Sequence, residues 1–192
     1  MERSLGHGLD GLFKPKSIAI IGASSDPTKT GGRPIKLLRQ HGFQGQIYPV
    51  NPRADRVQEL PAYPSVADLP GVPDLALVVV SGQAAVDAVR ACAQRGVKVA
   101  VVLASGFGEA DAAGQAMQAE ITAVAKSTGM RVLGPNCLGA VSVPERAIAT
   151  FSVALEAAFP PAGRIAVVSQ SGNIGSVIMK MLTQAQGGMS RF

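Results

Sequence analysis

Six short runs rich in Val and Ile constrain the fold more than any other feature of this chain. They are SIAIIG (17–22), QIYPV (46–50), DLALVVV (74–80), KVAVVLA (98–104), RVLG (131–134) and RIAVVS (164–169). None shows the strict apolar/polar alternation of a strand with one wet face, so each reads as a strand buried on both faces. Helix-like segments lie between them at 33–41, 83–95, 111–128 and 172–184. In the third, Ala113, Ala116, Met117, Ile121 and Val124 recur at helical spacing and mark an apolar face. Strands alternating with helices in this way call for right-handed βαβ units, hence an α/β fold with a doubly wound parallel sheet.

At 192 residues the chain is long enough for one well-cored α/β domain and the start of another. IAIIGASS and IAVVSQSG look like two separate strand-to-helix openings. Between them SVPERAIATFSVALEAAFPPAG ends in Pro160, Pro161 and Gly163 and reads as a connection. The expected organisation is a first domain over 1–150, a linker over 151–162, and the beginning of a second domain over 163–192. With 47% hydrophobic and 16% charged residues the chain should be globular. No apolar run approaches the roughly 18 residues of a membrane span, and MERSLGHGLDGLFKPK lacks an apolar signal core, so a cytoplasmic location is expected. Cys92 and Cys137 lack metal-ligand spacing and read as reduced thiols, and no metal site is expected.

The net charge of +5 is unevenly placed: residues 1–60 hold nine Lys or Arg against five acids, the remainder nine against eight. There is no Lys/Arg run, only two Tyr and no Trp, which speaks against a nucleic-acid surface and for a local anion site.

In open α/β sheets ligands lie beyond the carboxyl ends of the strands. After the first strand, Gly22, Ala23, Ser24, Ser25 and Asp26 form a small-residue turn. Lys29, Gly31, Gly32 and Arg33 then lead into a helix whose N-terminus favours anions. After the second strand a NAD-binding fold carries an acid for the ribose hydroxyls, but this chain has Asn51, Pro52 and Arg53. An Arg there suits a ribose phosphate, and the opening turn also lacks the second glycine of G-x-G-x-x-G. NADP stays open, and plain NAD nearly drops out. In the third loop Val80 precedes Ser81, which reads as a helix N-cap or a ligand contact. The fourth loop, with Ala104, Ser105, Gly106 and Gly108, adds Glu109, either a first-turn helix acid or a site carboxylate. The fifth offers Asn136 as donor and acceptor beside Cys137, a buried thiol or a nucleophile. His41 ends the first helix and reads as a helix-end charge or a solvated side chain.

Taken in order, LFKPKSIAIIGAS, YPVNPRA, DLALVVV, ASGFGE, GPNCLG and GRIAVVSQSGNIGS resemble the NDP-forming acyl-CoA synthetases, from about Leu12 to Phe192. That family includes the ADP-forming acetyl-CoA synthetases and the α subunit of succinyl-CoA synthetase. GPNCLG together with SQSGNIG is the specific part of the match; each strand run alone is not.

The resemblance implies a Rossmann-like CoA-binding domain followed by a flavodoxin-like ligase domain. It implies a CoA phosphate cradle at Gly22, Ala23, Ser24, Ser25 and Asp26, to which Lys29 adds charge, with Arg53 at or beside a basic contact. Val80, Ser81, Ala104 and Ser105 would line the CoA path, and Asn136 would lie near its thiol end. Ser169, Ser171, Gly172 and Asn173 would form a second phosphate site, at a helix end that in the family faces a phosphohistidine. The turn departs from the longer G-x-T-G-x-x-G form of the succinyl enzyme. The implied reaction joins an acid to CoA at the expense of ATP, through an acyl phosphate and the phosphorylated His. Its partners would be CoA, a carboxylic acid or acyl-CoA, and an ATP-grasp domain or subunit in a homo- or hetero-oligomer. ATP or ADP and Mg would act only through those other domains. His7 and His41 match no catalytic motif, so these residues are expected to bind CoA without completing the phosphoryl relay, with Glu109 at most accessory. A free-standing CoA-binding regulatory module and an NADP-linked oxidoreductase are the alternatives.

Overall fold

The computed structural model describes residues 8–192; His7 lies outside the described residues. A one-turn helix α1 (Asp10–Phe13) leads into β1 (Ser17–Ile21), α2 (Arg33–Gln40) and β2 (Gln46–Val50). A small antiparallel ribbon follows, β3 (Arg56–Val57) with β4 (Leu60–Pro61), in a stretch without the Val/Ile runs of the other strands. The chain continues through β5 (Leu75–Val78), α3 (Gln83–Arg95), β6 (Val99–Val102), α4 (Ala112–Thr128) and β7 (Arg131–Leu133). The remainder comprises β8 (Gly139–Ser142), β9 (Ala147–Thr150), β10 (Ala162–Ala166), α5 (Gly172–Gln184) and β11 (Met189–Arg191).

The main sheet is parallel throughout, with five strands in the order β2-β1-β5-β6-β7. Its direction of winding reverses between β1 and β5, which is the topological switch point of a doubly wound fold. The expectation of strands buried on both faces holds for the central strands β1, β5 and β6, whereas the edge strands β2 and β7 are only partly buried and β10 is mostly exposed. Ile18, Ile20, Leu75, Leu77, Val99 and Val101 point into one layer with Ile35, Leu37 and Leu38 of α2. Ala19, Ile21, Ala76, Val78, Ala100 and Val102 point into the other, with Ala85, Val86 and Val89 of α3 and Ile121 of α4.

A parallel sheet needs both faces covered, and α2 alone is too short to cover one of them. The missing layer is the antiparallel hairpin β8–β9, which carries Ala140, Val141, Ile148 and Ala149 into the same core as α2. Much of this hairpin falls in the stretch that read as a connection. β8 also pairs antiparallel with β11, and β11 pairs parallel with β10, so a second sheet runs in the order β10-β11-β8-β9.

The apolar face read on α4 is only partly right. Ile121 is buried and Met117 and Val124 half-buried, but Ala113 and Ala116 are exposed. Asp111 caps the helix by accepting the Gly114 N–H at 2.8 Å, and this start turns Gly114 rather than Ala113 toward the sheet. Gly114 is buried directly against the Phe107 carbonyl, where a Cβ would overlap it.

Segment 151–160 is fastened to α2. Arg33 Nε and Lys36 Nζ lie 3.0 and 3.3 Å from Glu156 Oε1, and Gln40 donates to the Glu156 carbonyl at 2.8 Å. The His41 ring lies 2.7 Å from the Leu155 carbonyl oxygen and stacks on Phe159 with centroids 4.8 Å apart. His41 thus ends α2, as expected, but is half-buried against this segment and not solvated. Among the described residues no helix is long and apolar enough to cross a membrane.

Candidate functional site

Five loops emerge from the carboxyl edge of the main sheet and are hydrogen-bonded to one another stepwise. Gly22 and Ala23 both donate to the Val50 carbonyl at 3.1 Å, Val79 donates to Ile21, Leu103 to Val78, and Asn136 to Ala104 at 2.8 Å. The edge is thus one tied surface running from the end of β2 to the end of β7.

The first loop leaves β1 through Gly22 at φ +90°, a conformation that disfavours any side chain. Ser24 N–H donates to the Gly31 carbonyl, Ser24 Oγ accepts the Asp26 N–H, and Asp26 Oδ1 accepts the Thr28 N–H and hydroxyl at 2.9 and 2.7 Å. Those bonds from Thr28 hold the Asp26 carboxyl below its ordinary range. Most N–H groups of the turn are thereby engaged inside it. Pro34 removes a further donor from the first turn of α2. What the turn presents outward is Ser25 with the exposed Lys29. Arg33, expected to add charge to the anion site, instead pairs with Glu156 and donates to the Thr28 and Phe151 carbonyls. Gly31 and Gly32 act by close approach, since a Cβ on either would overlap the carbonyl oxygen of Gly22 or Asp26.

Two residues without a sequence signature lock this turn. Asn51 Nδ2 donates to the Ala23 carbonyl at 2.8 Å while its Oδ1 accepts the Arg53 N–H at 2.8 Å. Gln58 Nε2 donates to the carbonyls of Ser24 and Gly32 at 3.0 and 2.8 Å. Asn51 thereby ties the backbone of Arg53 to the opening turn, and the Arg53 side chain is exposed.

In the third loop Gly82, not Ser81, is the N-cap of α3, and Ser81 is exposed beside the half-buried Val80. In the fourth, Glu109 lies ahead of the cap of α4 and accepts from Gly106 and Phe107 N–H at 2.6 and 3.3 Å. These backbone donors, Gly106 first, keep its carboxyl below the ordinary range. Ser105 is exposed and Ala104 half-buried.

The fifth loop turns through the cis Gly134–Pro135 bond and Asn136 at φ +53°. Cys137 donates its thiol to the Val102 carbonyl at 3.4 Å, and burial pushes its pKa up to about 11. A thiol so protonated is a poor nucleophile, although Cys137 is only half-buried.

The loop after β10 meets this edge. A cleft of about 440 Å³ is lined by Ser105, Asn136 and Cys137 on one side and by Ser169, Ser171, Gly172 and Asn173 on the other. Ser171 caps α5, accepting the Ile174 N–H at 3.4 Å, and Ser169 Oγ donates to the Ser171 carbonyl at 2.8 Å. The expected thiol-end residue and the expected second phosphate site thus share one cavity. A larger cleft of about 780 Å³, lined by Lys14, Lys16, Phe43 and Arg146, lies at the amino ends of β1 and β2, away from these loops. Among the described residues no three His, Cys, Asp or Glu side chains group as metal ligands.

A switch-point sheet with small-residue loops and a basic second loop defines a nucleotide-binding α/β protein. A family model described as a CoA binding domain matches residues 16–142. The α subunit of ADP-forming acetate–CoA ligase II from Pyrococcus furiosus is 38% identical over 184 residues, covering 96% of this chain and 39% of that subunit. A trans-feruloyl-CoA synthase from an unknown prokaryotic organism is 39% identical over 91% of this chain and 25% of its own length. Acetyl-coenzyme A synthetase 1 of Ca. Korarchaeum cryptofilum, solved with phosphate and ADP, superposes with a TM-score of 0.85 at 38% identity. It covers 95% of this chain and 38% of that one. The chain belongs to the CoA-binding domain family and spans about two fifths or less of these longer relatives.

Proposed function

We propose that this chain binds coenzyme A along the carboxyl edge of the main sheet, as the CoA-binding part of an ADP-forming acyl-CoA synthetase. The observation that carries the proposal is the shared cavity of Ser105 and Asn136 with the capped N-terminus of α5. It joins the edge suited to the nucleotide end of CoA to a helix end suited to a phosphoryl group. Ser25, Lys29 and Arg53 are exposed at the first two loops and suit the phosphates of CoA; Gly22, Ala23, Ser24 and Asp26 shape the turn beneath them. Val80, Ser81, Ala104 and Ser105 lead from there toward Asn136. These residues bind and orient, and they leave the thiol of CoA facing Ser169, Ser171, Gly172 and Asn173. The phosphorylated His, the nucleotide and Mg belong to other parts of the enzyme, which supply the phosphoryl chemistry. Cytoplasmic placement and assembly with an ATP-grasp domain or subunit complete the proposal.

A second reading, a free-standing CoA-binding module, is favoured by one finding. A hypothetical protein from Pyrococcus horikoshii matches 66% of this chain at 26% identity and TM-score 0.54, and that match spans 80% of its own length. About two thirds of this chain thus has a counterpart that makes up most of another protein.

Thermal unfolding tests the binding common to both readings. At CoA near a hundred times its Kd the fold should gain about 2.7 kcal/mol, with NADP giving no shift. A shift with NADP and none with CoA would refute both.

A further inference from the structure

The fourth loop has an internal anchor that the binding proposal does not use. Glu109 is exposed, yet its two carboxylate oxygens accept the consecutive N–H groups of Gly106 and Phe107 at 2.6 and 3.3 Å. Gly106 stands at φ +92° with open space around it, and Phe107 is fully buried in the layer of α3 and α4. Gln118 Oε1 accepts the next N–H, that of Gly108, at 3.0 Å. Three consecutive amides of the turn are thus bonded by side chains from the segment that follows. Just before the anchored turn, the Ala104 carbonyl accepts the Asn136 N–H at 2.8 Å, and Ser105 lines the cavity shared with Asn136 and α5.

We infer that Glu109 is a positioning residue: by holding Gly106 and Phe107 it sets Ala104 and Ser105 against Asn136, and so preforms the cavity wall along which the pantetheine arm of CoA runs. The inference rests on the CoA reading above and assigns Glu109 a role through the loop instead of through reacting atoms. A glycine at positive φ next to open space has many conformations to lose, and a charged acceptor on two amides removes that freedom before the ligand arrives.

Two measurements on Glu109→Ala and Glu109→Gln decide it. In the ligand-free chain, hydrogen exchange at the Asn136 amide should quicken about tenfold or more in Glu109→Ala, together with that of Gly106 and Phe107, while the β1 amides keep their protection. Glu109→Gln retains one acceptor oxygen and should fall between parent and alanine variant. CoA should bind Glu109→Ala about tenfold more weakly, whereas adenosine 3′,5′-bisphosphate, which lacks the pantetheine arm, should bind as it does to the parent. Unchanged exchange at Asn136 would overturn the inference, as would an equal loss for CoA and the bisphosphate. If the parent fails to bind CoA, the CoA reading falls by itself, and the exchange data still decide whether Glu109 sets the Ala104–Asn136 contact.

Discussion

Arg33 and Glu156, 123 positions apart in sequence, form an ion pair with Nε 3.0 Å from Oε1, and the pair fastens the start of α2 to the segment that joins β9 to β10. Lys36 shares the same oxygen at 3.3 Å. The Lys36 bond first and then that of Arg33 hold the Glu156 carboxyl below its ordinary value of 4.5. A carboxyl depressed in the folded state contributes its stability fully above the unfolded value and loses it as pH falls through the folded one. Glu156→Gln should therefore lower stability by about 1 kcal/mol at pH 7, or about 2–4 °C in Tm. That gap should narrow steadily below pH 4.5. Melting curves of parent and variant across pH 3–7 check this, and a gap independent of pH would contradict it.

Gly32 is buried where α2 passes over the opening turn, and a Cβ there would overlap the Asp26 carbonyl oxygen. Because the obstacle is backbone, repacking a side chain gives no relief. Gly32→Ala should cost about 3 kcal/mol and lower Tm by about 6–12 °C. Gly71→Ala, which meets no atom within 4 Å, is the matched control for calorimetry and should leave Tm nearly unchanged.

Burial pushes the Cys92 and Cys137 thiols up to about 12 and about 11. Reactivity follows the thiolate, so both should resist alkylation in the native chain at pH 8 and react fully in denaturant. Mass spectrometry after a timed iodoacetamide pulse reads this directly. Rapid native labelling of Cys137 would restore it as a candidate nucleophile.

The βαβ unit of β10, α5 and β11 leaves apolar side chains in water. Val168 is 98% exposed, and Ile174, Val177 and Met181 follow one another along α5 at 57–61%. Parallel strands are ordinarily covered on both faces, and such patches promote association. The 192-residue chain should self-associate as its concentration rises, and Val177→Lys with Met181→Lys should suppress this without lowering Tm. Sedimentation equilibrium distinguishes the two forms; equal behaviour would show that this face does not drive association.

The main sheet was legible because strands buried on both faces leave uninterrupted Val/Ile runs, as in LALV of β5 and VAVV of β6. The hairpin was not, because β8 and β9 are four residues each, lie around Pro144, Glu145 and Arg146, and become strands by packing on α2 and pairing with β11. The loops of the site were legible from their place after each strand. The locking roles of Asn51 and Gln58 were not, since an amide bonded to a carbonyl 28 or 34 residues away leaves no local pattern. Arg33 misled for the same reason: its partner Glu156 comes near only in the folded chain.

Titration of the isotope-labelled chain with CoA, followed amide by amide, tests the location of the site most directly. Shifts are expected at Ser25, Arg53, Ser81, Ser105 and Asn136, along the carboxyl edge of the sheet, and at Ser171 and Gly172 across the cavity. Lys14, Lys16 and Arg146 at the opposite cleft should stay unmoved. Shifts confined to that opposite cleft, or none at saturating CoA, would contradict it.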